Sequence, residues 1–170
     1  MPPEIFHVPF PIGYHGITPE DSLRALDQLF KADVDPARVA AIIIEPVLGE
    51  GGFYIAPPAF LQKLRQLCDS HGIVLIADEI QTGFGRTGRM FAIEHSGVEP
   101  DLMTIAKSLA GGVPLSAVVG KAPIMDAPPR RAGRYVRRIA IGLRGGSRDP
   151  RSDPSGKPAR ALHARSVIEC

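Results

Sequence analysis

Two short apolar runs end in opposite charges, and they constrain this chain more than any bulk property does. Ile73-Val74-Leu75-Ile76-Ala77 ends at Asp78, and Leu102-Met103-Thr104-Ile105-Ala106 ends at Lys107. Runs of this length that are continuous, not alternating, read as strands buried on both faces. A third run, Ala40-Ala41-Ile42-Ile43-Ile44, ends at Glu45. Strands covered on both faces belong to mostly parallel sheets with flanking helices, the α/β class. Such sheets bind ligands at the carboxyl ends of their strands. Glu45, Asp78 and Lys107 each occupy such an end, so the three are expected to converge on one crevice.

The segments between the runs fit that architecture. Thr18 reads as an N-cap, with Pro19 at the first helical position and Asp21 three residues after the cap. Leu23, Leu26, Leu29 and Phe30 then form an apolar stripe, which predicts an amphipathic helix over Pro19–Lys31. A second stripe, Phe60, Leu61, Leu64, Leu67 and Cys68, follows Pro57-Pro58 and ends near His71-Gly72. Strand, helix and strand in this order make a βαβ unit with parallel strands. Leu115–Val119 is a further strand candidate, and Met1–Gly16, rich in Pro, Gly and aromatics, reads as irregular.

Composition narrows the setting. At 170 residues the chain can hold one domain with a real core. No apolar stretch reaches the roughly 20 residues of a membrane span, and the first residues lack the basic-then-apolar pattern of a signal peptide. Cys68 and Cys170 show no metal spacing, nor do the histidines, which fits a reducing, cytoplasmic protein without a metal site. Charge divides sharply. Residues 1–129 carry 9 Lys+Arg against 15 Asp+Glu, whereas residues 130–170 carry 11 against 3. Such a step marks a boundary between unlike segments.

Three motifs surround the charged strand ends. Asp78 lies in Ala77-Asp78-Glu79-Ile80-Gln81-Thr82-Gly83-Phe84-Gly85-Arg86-Thr87-Gly88, Lys107 in Ala106-Lys107-Ser108-Leu109-Ala110-Gly111-Gly112, and Glu45 in Glu45-Pro46-Val47-Leu48-Gly49-Glu50-Gly51-Gly52. Pyridoxal 5'-phosphate needs a lysine for covalent attachment and a carboxylate to keep its ring nitrogen protonated. In order, spacing and flanking glycines, residues 5–126 closely resemble the class III pyridoxal-phosphate-dependent aminotransferases, most closely the bacterial 4-aminobutyrate group. The resemblance implies the large domain of the fold-type I transferases, represented in part by residues 1–128.

By that resemblance Lys107 is the attachment lysine and proton carrier, and Asp78 is the carboxylate at the ring nitrogen. Gln81 stands near the ring hydroxyl, Ile80 packs on one ring face, and Glu45 supports the site from behind. Glu50 is the glutamate that pairs with a substrate-side arginine. The implied activity is ping-pong transamination of 4-aminobutyrate or a related ω-amino acid, with 2-oxoglutarate as acceptor. The implied partners are the amino donor and the 2-oxo acid, with assembly as a homodimer or higher oligomer. Another class III specificity, for ornithine, acetylornithine or a diamine, is the alternative within the family. The segment Phe6-His7-Val8-Pro9-Phe10-Pro11, with 45–52, favours 4-aminobutyrate.

The match spans less than half of a family chain. The glycine/serine phosphate cradle, the usual substrate arginine and the small domain have no counterpart here, so apolar faces and sheet edges are expected to lie open. An inactive remnant or an interaction module is therefore the reading from a different class. Residues 129–170 depart further. Codons can be chosen for Arg130-Arg131-Ala132-Gly133-Arg134-Tyr135-Val136-Arg137-Arg138 that, one base out of frame, encode the family's Gly-Gly-Leu-Gly-Gly-Thr-Tyr-Ala-Gly. The tail is accordingly expected to be a disordered frameshift product. A basic arm for nucleic acid is the competing idea. Ten arginines with Tyr135 as the sole aromatic argue against it.

Overall fold

The computed structural model describes residues 4–125 and 166–169. Strand β1 (Ile5–His7) is followed by helix α1 (Pro19–Ala32), strand β2 (Val39–Ile44), a two-stranded ribbon of β3 (Val47–Leu48) and β4 (Tyr54–Ile55), helix α2 (Pro58–His71), β5 (Val74–Asp78), β6 (Leu102–Ile105), β7 (Ala117–Gly120), the one-turn helix α3 (Ala122–Met125) and β8 (Ser166–Glu169). The main sheet has the order β1-β8-β2-β5-β6-β7. All its pairings are parallel except β6 with β7, which is antiparallel. The mostly parallel sheet with helices agrees with the α/β class expected from the sequence.

The helices form for the reasons their sequences give. Thr18 Oγ1 accepts the Asp21 N–H at 3.1 Å, and Asp21 Oδ2 accepts the Thr18 N–H at 3.0 Å, so two otherwise unpaired donors at the start of α1 are satisfied reciprocally. Helix α2 begins with Pro58 and stops at Gly72, which takes φ 66°, a left-handed conformation that costs glycine little. Leu26 of α1 and Phe60, Leu61, Leu64 and Cys68 of α2 are buried with Ile42, Ile44, Leu75 and Ala77 of the sheet. Truncating Leu64 or Phe60 to Ala in such a core costs about 2–5 kcal/mol. Burial pushes the Cys68 thiol up to about 12, so this cysteine is a core group at neutral pH.

Asp101, just before β6, ties three elements together. Its backbone exchanges with β5 through Asp101 N–H to Leu75 O at 2.9 Å, while its Oδ2 accepts the Leu75 N–H at 2.8 Å. The same carboxylate receives Arg65 of α2 at 2.8 Å and Lys121 at 2.9 Å, and the Asp101 carbonyl takes the Lys121 N–H. Burial alone would raise this carboxyl. The Leu75 N–H, Lys121 and Arg65 outweigh it and hold the group below its ordinary value.

One expectation changes. The opening segment is not wholly irregular, because residues 5–7 join the sheet as β1. Within the segment expected to be largely disordered, residues 166–169 run between β1 and β2, parallel to both. A gap between two strands offers unpaired N–H and C=O groups on both sides, and Val167-Ile168 is β-branched, so a short local propensity finds a full set of partners. The rest of the expected tail, 129–165 and 170, lies outside the described residues, as does the stretch read as out of frame. Open apolar surface occurs at β7, where neighbours on opposite faces, Val118 and Val119, are 48% and 37% exposed.

Candidate active site

Sheet register brings the charged strand ends to one edge. Ile44 is paired with Ala77, so Glu45 and Asp78 leave β2 and β5 side by side, and Asp78 is in turn paired with Thr104 of β6. Lys107 follows β6 by two residues and opens a short 3-10 turn, Lys107–Ala110. Its φ is +43°, in the left-handed region that is sparse for a side-chain-bearing residue. Such strain costs on the order of 1–3 kcal/mol and gathers at functional sites.

Lys107 is exposed and lines a cavity of about 390 Å³ together with Val47, Gly49, Phe53, Gln81, Thr82, Arg86 and Thr87. Behind it, Glu45 Oε2 accepts the Gly49 N–H at 2.9 Å. Glycine at 49 lets Gln81 pack close: a Cβ at that position would lie 1.6 Å from Gln81 Oε1 and 3.2 Å from Glu45 Oε2, so Gln81 would have to move. Glu45, Gly49 and Gln81 thus form one packed unit on the cavity wall. Asp78 is half-buried, and its Oδ1 accepts the Ile80 N–H at 3.0 Å, an Asx-type turn that carries the chain from β5 into the loop. Ile80 is half-buried in that turn. Glu50 is exposed on the 49–52 turn and has no hydrogen-bond or ion-pair partner among the described residues. Of the six residues singled out from sequence, Gln81 and Lys107 share the cavity and Glu45 joins them through Gly49. Asp78 and Ile80 form the adjoining strand end, and Glu50 stands apart.

Several contributors were not anticipated. Glu79, beside Asp78, is fully buried, and its carboxylate accepts from Thr82 Oγ1, from the Ala92 N–H at 3.1 Å and from the Ile93 N–H at 2.8 Å. A buried carboxylate is tolerable only with such donors, and these pin the 79–82 turn to the chain at 92–93. Arg86 and Phe53 reach the cavity from loops, Phe53 with φ +60° and 72% exposed. The hydroxyls of Thr87, in the cavity lining, and Thr104, opposite Asp78, are buried without a hydrogen-bond partner. The glycine-rich spacing of 83–88 was the available signal for Arg86 and Thr87. Phe53 and Glu79 had none.

The class III aminotransferase family matches residues 1–135, and the chain belongs to that family. It is 55% identical over 138 residues to the 4-aminobutyrate aminotransferase GabT of Escherichia coli K12, across 80% of this chain and 32% of that protein. It is 49% identical over 169 residues to the 5-aminovalerate aminotransferase DavT of Pseudomonas putida, across 99% of this chain and 36% of that protein. In structure it is similar to an (S)-enantioselective omega-transaminase from Thermomicrobium roseum, with a TM-score of 0.67 and 34% identity over 74% of this chain and 30% of that one. The chain thus spans about a third of the length of these relatives. No described helix is long and apolar enough to cross a membrane, and no cluster of metal-binding side chains occurs among the described residues.

Proposed function

We propose that this chain carries the lysine-and-carboxylate portion of a pyridoxal-phosphate transaminase site, acting on 4-aminobutyrate or a similar ω-amino acid with 2-oxoglutarate as acceptor. The observation that carries the reading is the placement of Asp78 and Lys107 at the carboxyl ends of neighbouring parallel strands, with Lys107 strained into a cavity that Gln81 also lines. The residues present suit the ring side of the cofactor. Asp78 Oδ2 takes no donor among the described residues, the Thr87 and Thr104 hydroxyls lack partners, and Gly49 lets Gln81 pack against the cavity wall where a Cβ would clash with it.

When bound, the cofactor supplies an electron-withdrawing ring that stabilises negative charge on the substrate carbon. The chain's own groups would then divide the work. Asp78 would hold a proton on the ring nitrogen, since an ionised carboxylate favours the cationic ring. The Lys107 amine would hold the cofactor carbonyl covalently and, once displaced by substrate, carry a proton between two carbons. Gln81, backed by Glu45 across Gly49, would direct its amide at the ring hydroxyl. Ile80 would limit movement of one ring face, and Glu50 would pair with an arginine near the substrate carboxylate. The donor assignment follows the names of relatives, which include both 4-aminobutyrate and 5-aminovalerate.

Reductive trapping tests the site. The full chain is mixed with pyridoxal 5'-phosphate, reduced with borohydride and mapped by mass spectrometry. A saturable adduct on Lys107, lost in Lys107→Ala and weakened in Asp78→Ala, is expected. Labelling spread evenly over exposed lysines would refute the site. Parallel assays with 4-aminobutyrate, 5-aminovalerate and ornithine then rank donors, and a preference for ornithine would overturn the assignment of 4-aminobutyrate or 5-aminovalerate as donor.

A further inference from the structure

We propose that the gap between β1 and β2 is a strand-acceptor slot, which the chain closes with its own residues Ser166–Glu169. The slot takes a short extended segment, parallel to both neighbours and apolar at its centre, and a peptide of that chemistry competes for it in trans.

Strand β1 is three residues long, and its only sheet partner among the described residues is β8. Strand β2 pairs with β5 along one edge and with β8 along the other. It is a largely buried strand, so an unfilled gap would leave N–H and C=O groups of β2 without partners inside the sheet, and would leave β1 with no sheet to join. Parallel neighbours cannot be joined by a tight turn, and the long stretch 126–165 separates β8 from α3. The register of β8 is therefore set by the slot and not by a connecting turn. That is the geometry of a peptide adding to a sheet through main-chain hydrogen bonds.

Register gives the slot its selectivity. Three rows cross it: Ile5-Val167-Ala41, Phe6-Ile168-Ile42 and His7-Glu169-Ile43. Ile42 belongs to the core and Phe6 packs against it, so the middle row calls for an apolar residue. Position 168 is isoleucine and position 167 valine, both β-branched and suited to extended backbone. The third row begins at exposed His7, where a charged residue such as Glu169 is tolerated. The register shifts between Val39 and Ala41, which ends the regular ladder on the β2 side near Ser166. The slot lies on the side of β2 away from β5 and β6, so it is separate from the Lys107 cavity.

Hydrogen exchange of the full chain, read by mass spectrometry, tests the slot. In the wild-type chain the amides of 5–7, 39–43 and 166–169 are expected to be protected together. Ile168→Pro removes a ladder N–H from the middle row, and protection at 5–7 and 39–43 should fall about tenfold. Unchanged protection in α2, β5 and β6 checks that the variant has folded. A fluorescent peptide of residues 164–169 is then added. It should bind Ile168→Pro saturably and restore protection at 5–7. It should bind the wild-type chain about tenfold more weakly, because the tethered segment competes. The same peptide carrying Ile168→Pro should not bind. Unchanged protection at 5–7 in folded Ile168→Pro, or no saturable binding of the peptide to it, would overturn the proposal. If Ile168→Pro does not fold, the wild-type chain decides: exchange at 166–169 as fast as in the free peptide overturns the slot, and protection there supports it. Protection at 166–169 that rises with protein concentration assigns the strand to a second copy and overturns closure within one chain.

Discussion

Asp101 and Lys107 stand at opposite ends of the same strand, and almost every physical property that can differ between two charged residues differs between them. Asp101 precedes β6, is buried, and has its N–H, its C=O and both carboxylate oxygens engaged. Lys107 follows β6, is exposed, adopts φ +43° and makes no hydrogen bond or ion pair among the described residues. One end of the strand spends its charge on holding β5, α2 and Lys121 together. The other leaves a charge uncommitted beside a cavity. In parallel sheets ligand sites lie at the carboxyl ends, so the division between a stability end and a chemistry end follows the direction of the chain.

The sharpest way to break this comparison is to remove Asp101. Asp101→Ala strands Arg65, Lys121 and the Leu75 N–H together, and a loss of about 3–5 kcal/mol is expected in urea unfolding. A loss below about 1 kcal/mol would mean that the cluster is incidental. Acid gives a milder version of the same test. The folded carboxyl lies below its ordinary value, so its contribution is complete above the ordinary carboxylate range and is lost as pH falls through the folded value. Stability measured against pH should therefore decline on the acid side, and Asp101→Asn should flatten that decline. An unchanged acid limb would reassign the loss to other groups.

How much of this contrast the sequence disclosed depends on distance from a regular element. Where a strand or helix is regular, counting residues places a side chain. Asp78 and Lys107 were legible because strand ends fix them, and α1 because Thr18, Pro19 and Asp21 mark its start; observed boundaries differ by about a residue. The ribbon β3–β4 has two residues per strand, too few for any periodicity to register. Arg86 and Phe53 reach the cavity through loop backbone that no propensity dictates. Glu79 looked like a neighbour of the interesting residue. Only the return of the chain at 92–93 supplies the N–H groups that let it be buried. Asp101 had a hint in Glu99-Pro100-Asp101, a proline-led entry to a strand, but its partners lie 20, 26 and 36 residues away.

On the chemistry side the expected energies are smaller and the functional readouts larger. Gly49→Ala places a Cβ 1.6 Å from Gln81 Oε1 and 2.6 Å from its Cδ, both at the far end of a flexible side chain. Gln81 is expected to swing away rather than the backbone to shift. The stability cost should be about 1 kcal/mol, toward the lower end for overpacking. Lys107 trapping should fall severalfold, because the amide proposed to face the ring moves. Trapping equal to wild type in a folded Gly49→Ala protein would show that Gln81 does not help to position the cofactor.

The smallest expected change is the most specific. If the left-handed backbone at Lys107 is maintained against its own preference, two truncations of the same side chain should differ. Lys107→Ala removes the amine but keeps a Cβ at φ +43°, so stability should stay near the wild-type value. Lys107→Gly removes the steric penalty as well, at the cost of a freer unfolded chain, and the balance should favour glycine over alanine by about 1 kcal/mol. The side-chain loss is common to both variants, so their difference isolates the backbone. It would show up as a higher urea midpoint for glycine with an unchanged slope. Equal midpoints would mean that no strain is stored there. The unusual geometry of Lys107 would then be an ordinary loop conformation rather than a feature of the chemistry end of β6.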